Sequence, residues 1–121
     1  MKPEVKNSKT VKEFETEERC YIQEIANDSG DEFVSIARTR VKPGVTTAWH
    51  ELKGVTERYI IVGGHGIIEI DDLKPIAVHQ GDVARIPADT PQRIKNTGES
   101  DLLFYVICTP RFDVSCYHGL E

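Results

Sequence analysis

His50 and Glu57 lie seven positions apart in the stretch WHELKGVTE, and both side chains can do chemistry near neutral pH. An imidazole and a carboxylate this close offer two kinds of site. They can share a divalent metal, each giving a lone pair. Or the carboxylate can hold the imidazole in one tautomer, leaving the second ring nitrogen to move protons. Two positions after His50, where a further donor would strengthen a metal site, stands Leu52, a hydrocarbon with no lone pair. The stretch therefore frames a metal site, a metal site short of one ligand, or a pocket that works without metal.

In each case the flanking segments must hold these side chains. From Cys20 onward the chain breaks into short runs: CYIQEIA, FVSIARTRV, TTAWHEL, ERYIIV, IIEI, PIAVHQ, VARI, QRIKN and LLFYVIC. Each is rich in β-branched and aromatic residues and is bounded by Gly, Pro, Asp or Asn, the pattern of an all-β sandwich or barrel. GGHG, between two apolar runs, predicts a hairpin turn, because Gly takes positive φ without steric cost. No run sustains a period of 3.6 residues; only the tail FDVSCYHGLE has room for a turn or two of helix. The expected organisation is an N-terminal arm over 1–19, a barrel over 20–110 and a C-terminal tail over 111–121. The arm is polar, extended or a short strand that reaches onto a neighbour.

Alternation along strands assigns faces. With His50 pointing inward, Thr46, Ala48 and Leu52 go with it, and Thr47, Trp49 and Glu51 point out. Glu57, Tyr59 and Ile61 share one face of the next strand; Arg58, Ile60 and Val62 share the other. Gln92 and Ile94 oppose Arg93 and Lys95. Tyr59 either orients or protonates a substrate or simply fills the barrel. Trp49, Ile60 and Val62 are too apolar for an open sheet face, so a sheet carrying them predicts a homodimer interface. For Arg38 and Arg40 the alternation leaves two outcomes, an anion clamp inside or solvated guanidinium groups outside. Tyr105, next to Phe104, is equally open. His65, His79 and His118 fall at a turn, a strand end and the tail, where exposure is expected.

The net charge of −5 without a Lys/Arg cluster argues against nucleic acid and anionic membranes as partners and favours a small-molecule substrate. The three cysteines, Cys20, Cys108 and Cys116, lack metal-knuckle spacing and fit buried thiols in a reducing compartment. No apolar leader and no apolar run near the ~20 residues of a membrane helix is present, so a cytoplasmic location is expected.

Two gapped motifs in this strand-rich chain resemble those of the cupins. The first cupin motif reads Gly, five residues, His, one, His, three or four, Glu, six, Gly. Gly44, His50, Glu57 and Gly64 stand at those intervals, with Leu52 in place of the second His. The second motif reads Gly, five residues, Pro, one, Gly, two, His, three, Asn. Gly81, Pro87 and Asn96 match, while Asp89 replaces the Gly and Gln92 the His. The likeness covers about residues 32 to 110, and LLFYVICTPRF is similar to the close of small bacterial cupins labelled mannose-6-phosphate-isomerase-like.

The resemblance implies a double-stranded β-helix, the cupin jelly-roll barrel. It also implies a metal site at His50, Glu57 and Gln92, one nitrogen and two oxygens, suited to Mn, Fe, Ni or Zn. Cupins include isomerases, lyases, oxygenases and pure binding proteins, so fold alone does not choose a reaction. The leading expectation is a metal-dependent enzyme on a sugar derivative or oxo acid, with Tyr59 lining the approach. The alternatives are a metal-free binding protein and a metal-free isomerase or dehydratase with His50 as general base.

Overall fold

TERYIIVG alternates without a break, and the strand it forms buries Glu57, Tyr59 and Ile61 while turning Arg58, Ile60 and Val62 outward. The same period-two logic runs through the structure, a computed structural model describing residues 1–121. In chain order the strands are β1 (Phe14–Glu15), β2 (Tyr21–Ala26), β3 (Ser35–Val41), β4 (His50–Leu52), β5 (Thr56–Gly63) and β6 (His65–Ile70). Then follow β7 (Ile76–His79), β8 (Val83–Ile86), β9 (Gln92–Asn96), β10 (Leu102–Thr109) and β11 (Tyr117–Gly119).

All pairings are antiparallel, and they form two sheets. One has the order β1-β2-β3-β10-β5-β8, the other β11-β4-β9-β6-β7. The interleaved order is that of an all-β double-stranded β-helix. Between the sheets, Val41, Ile61, Ile68, Ile86, Ile94, Leu102 and Phe104 are almost wholly removed from water and form the core at one end. His50, Glu57 and Tyr59 line a cavity that this core closes through Ile94 and Phe104. No helix is long and apolar enough to cross a membrane.

GGHG does not close a hairpin. β5 pairs with β8 and β10, whereas β6 pairs with β7 and β9, so the stretch is a corner where the chain changes sheet. Gly64 sits there at φ +76, and a Cβ would lie 2.7 Å from the carbonyl oxygen of Asp101. The motif glycine is required by backbone shape. Asp89, at the position of the second-motif Gly, also has positive φ, at 63. An aspartate tolerates that region better than most residues because its short side chain bonds locally. Here it accepts a hydrogen bond from the Gly54 N–H at 3.1 Å.

Three further expectations change. Only His50–Leu52 of TTAWHEL is strand, so alternation fails before it. Thr47 is buried and Thr46 half-buried, because Thr47 bonds Ile94 through both its N–H and its hydroxyl. Trp49 adjoins the five-stranded sheet under the Arg93 guanidinium, while Ile60 and Val62 face out from the six-stranded one, so they share no single face. The tail makes one short 3-10 turn, Val114–Cys116, and then a strand.

Candidate functional site

β4 and β9 pair at a single register point, His50 opposite Gln92, in the five-stranded sheet. Across the barrel, β5 supplies Glu57 and Tyr59 from the six-stranded sheet. Inward parity on all three strands brings His50, Glu57, Tyr59 and Gln92 together, each at most 6% exposed. His50, Glu57, Tyr59 and Leu52 line a cavity of about 420 Å³.

The hydrogen bonds define the state of each group. His50 Nδ1 lies 2.9 Å from the Ala48 carbonyl oxygen. A carbonyl only accepts, so Nδ1 carries the proton and, in the neutral ring, Nε2 presents a lone pair. Nε2 has no hydrogen-bond partner, is not sealed from the cavity, and stands 4.0 Å from Glu57 Oε1. The Tyr59 hydroxyl donates to Gln92 Oε1, and Gln92 Nε2 donates to Glu57 Oε1. This chain satisfies every buried polar atom in it, as an interior network must be.

Burial pushes the Glu57 carboxyl up to about 8, helped by the nearby charge of Glu18 and opposed by the Gln92 amide. Glu57 therefore holds its proton at neutral pH. Burial likewise raises the Tyr59 phenol far above its ordinary range.

Two residues from outside the motif-bearing segments complete the site. Glu18, at the end of the arm, places Oε2 3.4 Å from His50 Nδ1; burial raises its carboxyl and His50 opposes the rise. The arm is tied down there, since the Glu18 carbonyl accepts from the Ala48 N–H and Phe14 pairs with Ile22 of the same chain. Tyr117, on β11, stacks on the His50 ring with centroids 5.3 Å apart and planes 22° apart. Neither residue lies in a segment with a legible motif. The one sequence signal is the polar-apolar alternation of CYHG, too short to specify a strand.

Arg38 and Arg40 face away from the cavity, because Ser35, Thr39 and Val41 are the buried members of β3. Arg40 instead pairs with Glu13 and Asp101. Phe104 points in and Tyr105 does not. His65, His79 and His118 are exposed, and Cys20, Cys108 and Cys116 are buried free thiols.

The donors fit a divalent ion poorly as they stand. Such an ion needs lone pairs converging on one point. Leu52 offers none, the Gln92 oxygen accepts from Tyr59, and the Gln92 amide N–H is turned on the Glu57 oxygen that would have to ligate. The same arrangement suits a base and an acid facing one cavity.

Comparison with known proteins places these features in a family context. The profile of the Cupin domain matches residues 37–108, more than half of the chain. An oxalate-binding protein of Thermotoga maritima is 32% identical over 71 residues, covering 59% of this chain and 58% of its own. The match thus spans less than two thirds of that relative's length. Among solved structures, a predicted oxalate decarboxylase of Thermotoga maritima aligns with a TM-score of 0.78 at 21% identity, over 88% of this chain and 99% of its own. Streptomyces Pac13, described as a unique nucleoside dehydratase, aligns with a TM-score of 0.82 at 12% identity, over 99% and 92%. At such identities the two structures establish the fold.

Proposed function

Because the chain belongs to the cupin family, whose barrel serves many reactions, we propose its reaction class from the pocket: an isomerase or dehydratase that moves protons on a small hydroxylated carbonyl compound. The observation that carries this is the fixed tautomer of His50. Ala48 holds Nδ1–H at 2.9 Å, which leaves Nε2 as a base open to the cavity and facing a protonated Glu57.

Nε2 takes a proton from the carbon next to the carbonyl, and the C–H electron pair forms a C=C bond. In a dehydration those electrons expel the hydroxyl on the next carbon, which leaves as water with the Glu57 proton. The His50 proton then returns to the Glu57 carboxylate, restoring both groups. In an isomerisation no C–O bond breaks: Glu57 gives its proton to the carbonyl oxygen as the enediol forms and then takes the proton of the neighbouring hydroxyl, while His50 delivers its proton to the former carbonyl carbon. Tyr59 acts through Gln92, holding the amide that orients Glu57.

The test is deuterium uptake from solvent into a panel of hydroxy-aldehydes and hydroxy-ketones, read by mass spectrometry. Wild type is expected to label at least one compound, and His50→Gln and Glu57→Gln to lose labelling by roughly a hundredfold or more. Equal labelling by wild type and His50→Gln would sink the proposal. A divalent ion on His50, Glu57 and Gln92 is the second reading, supported by the metal binding common among cupins. Stoichiometric metal in untagged protein, lost in Gln92→Ala, would favour it.

A further inference from the structure

The cavity walls carry an uneven inventory of charge. Glu17, Glu18 and Glu24 line it beside the uncharged Glu57 carboxyl, and no Lys or Arg does. The arginines next to lining residues in sequence are turned out: Arg38 and Arg40 lie on the outer face of β3, Arg19 binds the Thr46 carbonyl and Glu121, Arg58 the Thr109 hydroxyl, and Arg93 pairs with Glu69. An anion entering here would meet carboxyl oxygens without a compensating cation.

Most of the uncharged wall is apolar and aromatic, with hydroxyls from Thr16, Ser35, Thr39 and Thr47. Ile22, Phe104, Val106 and Phe112 form the apolar part, and Tyr117 lies stacked on His50 as a flat platform. Two polar groups line this space: His50 Nε2, which has no hydrogen-bond partner although the side chain is 6% exposed, and the Glu18 carboxyl, which lies 3.4 Å from His50 Nδ1 and accepts no hydrogen bond. A volume of about 420 Å³ suits a molecule of one or two rings.

We propose that this cavity takes a ligand without negative charge, an uncharged or ammonium-bearing molecule built on a flat apolar ring, and rejects dicarboxylates such as oxalate. The ring lies against Tyr117 and the aromatic wall, and its polar substituent reaches Glu18 and His50. The inference rests on the proton-transfer reading only in using the same cavity. It separates this chain from what the name of its oxalate-binding relative states.

Benzylammonium, benzyl alcohol and benzoate share one ring and differ in charge. Their binding to the full chain at neutral pH and constant ionic strength is measured by protein-observed NMR, beside oxalate with and without added Mn²⁺. Benzyl alcohol and benzylammonium are expected to bind and to shift the His50 and Tyr117 resonances, with benzylammonium the tighter. Benzoate is expected to bind at least about tenfold more weakly than benzyl alcohol, and oxalate not at all. Glu18→Gln should remove the advantage of benzylammonium over benzyl alcohol.

Benzoate or oxalate, with or without Mn²⁺, binding as tightly as benzyl alcohol would overturn the proposal, as would absence of binding by both non-anionic probes. Binding needs no turnover, so the two readings fail separately. The charge ranking without deuterium uptake retains the ligand class and removes the proton-transfer reading; uptake on a compound bound through its carboxylate does the reverse.

Discussion

Glu57 ties stability to pH in a direction that can be worked out. Its carboxyl keeps a proton up to about 8 in the folded protein, against an ordinary value of 4.5 when unfolded. Between those values the folded state binds the extra proton, so stability is full below about 4.5 and falls as pH rises through about 8. The loss is on the order of a few kcal/mol. Denaturant midpoints should drop from pH 6 to pH 9 in wild type, and Glu57→Gln should flatten most of that slope. An equally steep slope in the variant would remove Glu57 as its source. Turnover should fall over the same range as the acid loses its proton. Gln92 joins Tyr59 to Glu57, so Gln92→Leu leaves two buried polar groups unpaired and should cost roughly 2–4 kcal/mol, against about 1 for Tyr59→Phe. Restoring both missing family ligands, as Leu52→His with Gln92→His, should confer Zn²⁺ or Mn²⁺ binding measurable by calorimetry beyond any in wild type. At this scale the sequence was informative wherever strand parity held: His50, Glu57, Tyr59 and Gln92 all share the interior. Glu18 and Tyr117 escaped because they reach His50 through chain closure, from segments whose own pattern says nothing about the barrel.

Elements were legible in their limits and not in their partners. Turn chemistry marks where a strand stops, and β5 through β10 end near the Gly, Pro, Asp or Asn that predicted it. It does not say which strand comes next in the sheet, because a corner and a hairpin ask the same positive φ of a glycine. GGHG illustrates this, since β5 and β6 are neighbours in sequence and belong to different sheets. The corner also makes a sharp prediction. A Cβ at Gly64 meets the Asp101 backbone, which cannot swing aside as a side chain would, and it adds the strain of φ +76. Gly64→Ala should therefore lower unfolding free energy by about 2 kcal/mol or more, whereas Gly44→Ala, with open space around its Cβ, should cost less. Equal losses would mean that the corner contact is not what requires glycine there.

Across the whole molecule, one sheet face carries an apolar patch over β10, β5 and β8, away from the β2 side where Gln23 holds the arm. On the outer side of the six-stranded sheet, Leu103, Tyr105 and Ile107 of β10 lie beside Ile60 and Val62 of β5, each partly exposed, and Val83 of β8 continues the patch at 62% exposed. The register sets Tyr105 between Arg38 and Ile60, and Ile107 between Ile36 and Arg58, so the apolar rows are flanked by guanidinium groups rather than carboxylates. A contiguous patch of that kind is unusual on a lone chain. The sequence pointed to an interface from Ile60 and Val62 but joined Trp49 to them, because parity along separate strands carries no information about which sheet each strand enters. We propose that a second copy of the chain covers this face. Sedimentation of wild type should give twice the chain mass of 13.6 kDa. Ile60→Glu with Tyr105→Glu should return the single mass while keeping the β-sheet circular dichroism, since both side chains point away from the core. The cavity opens on the inner side of the same sheet, so ring-probe binding should survive the split. A wild type that sediments at 13.6 kDa at all concentrations would leave the face to solvent, and loss of probe binding on dissociation would mean that the partner copy shapes the pocket.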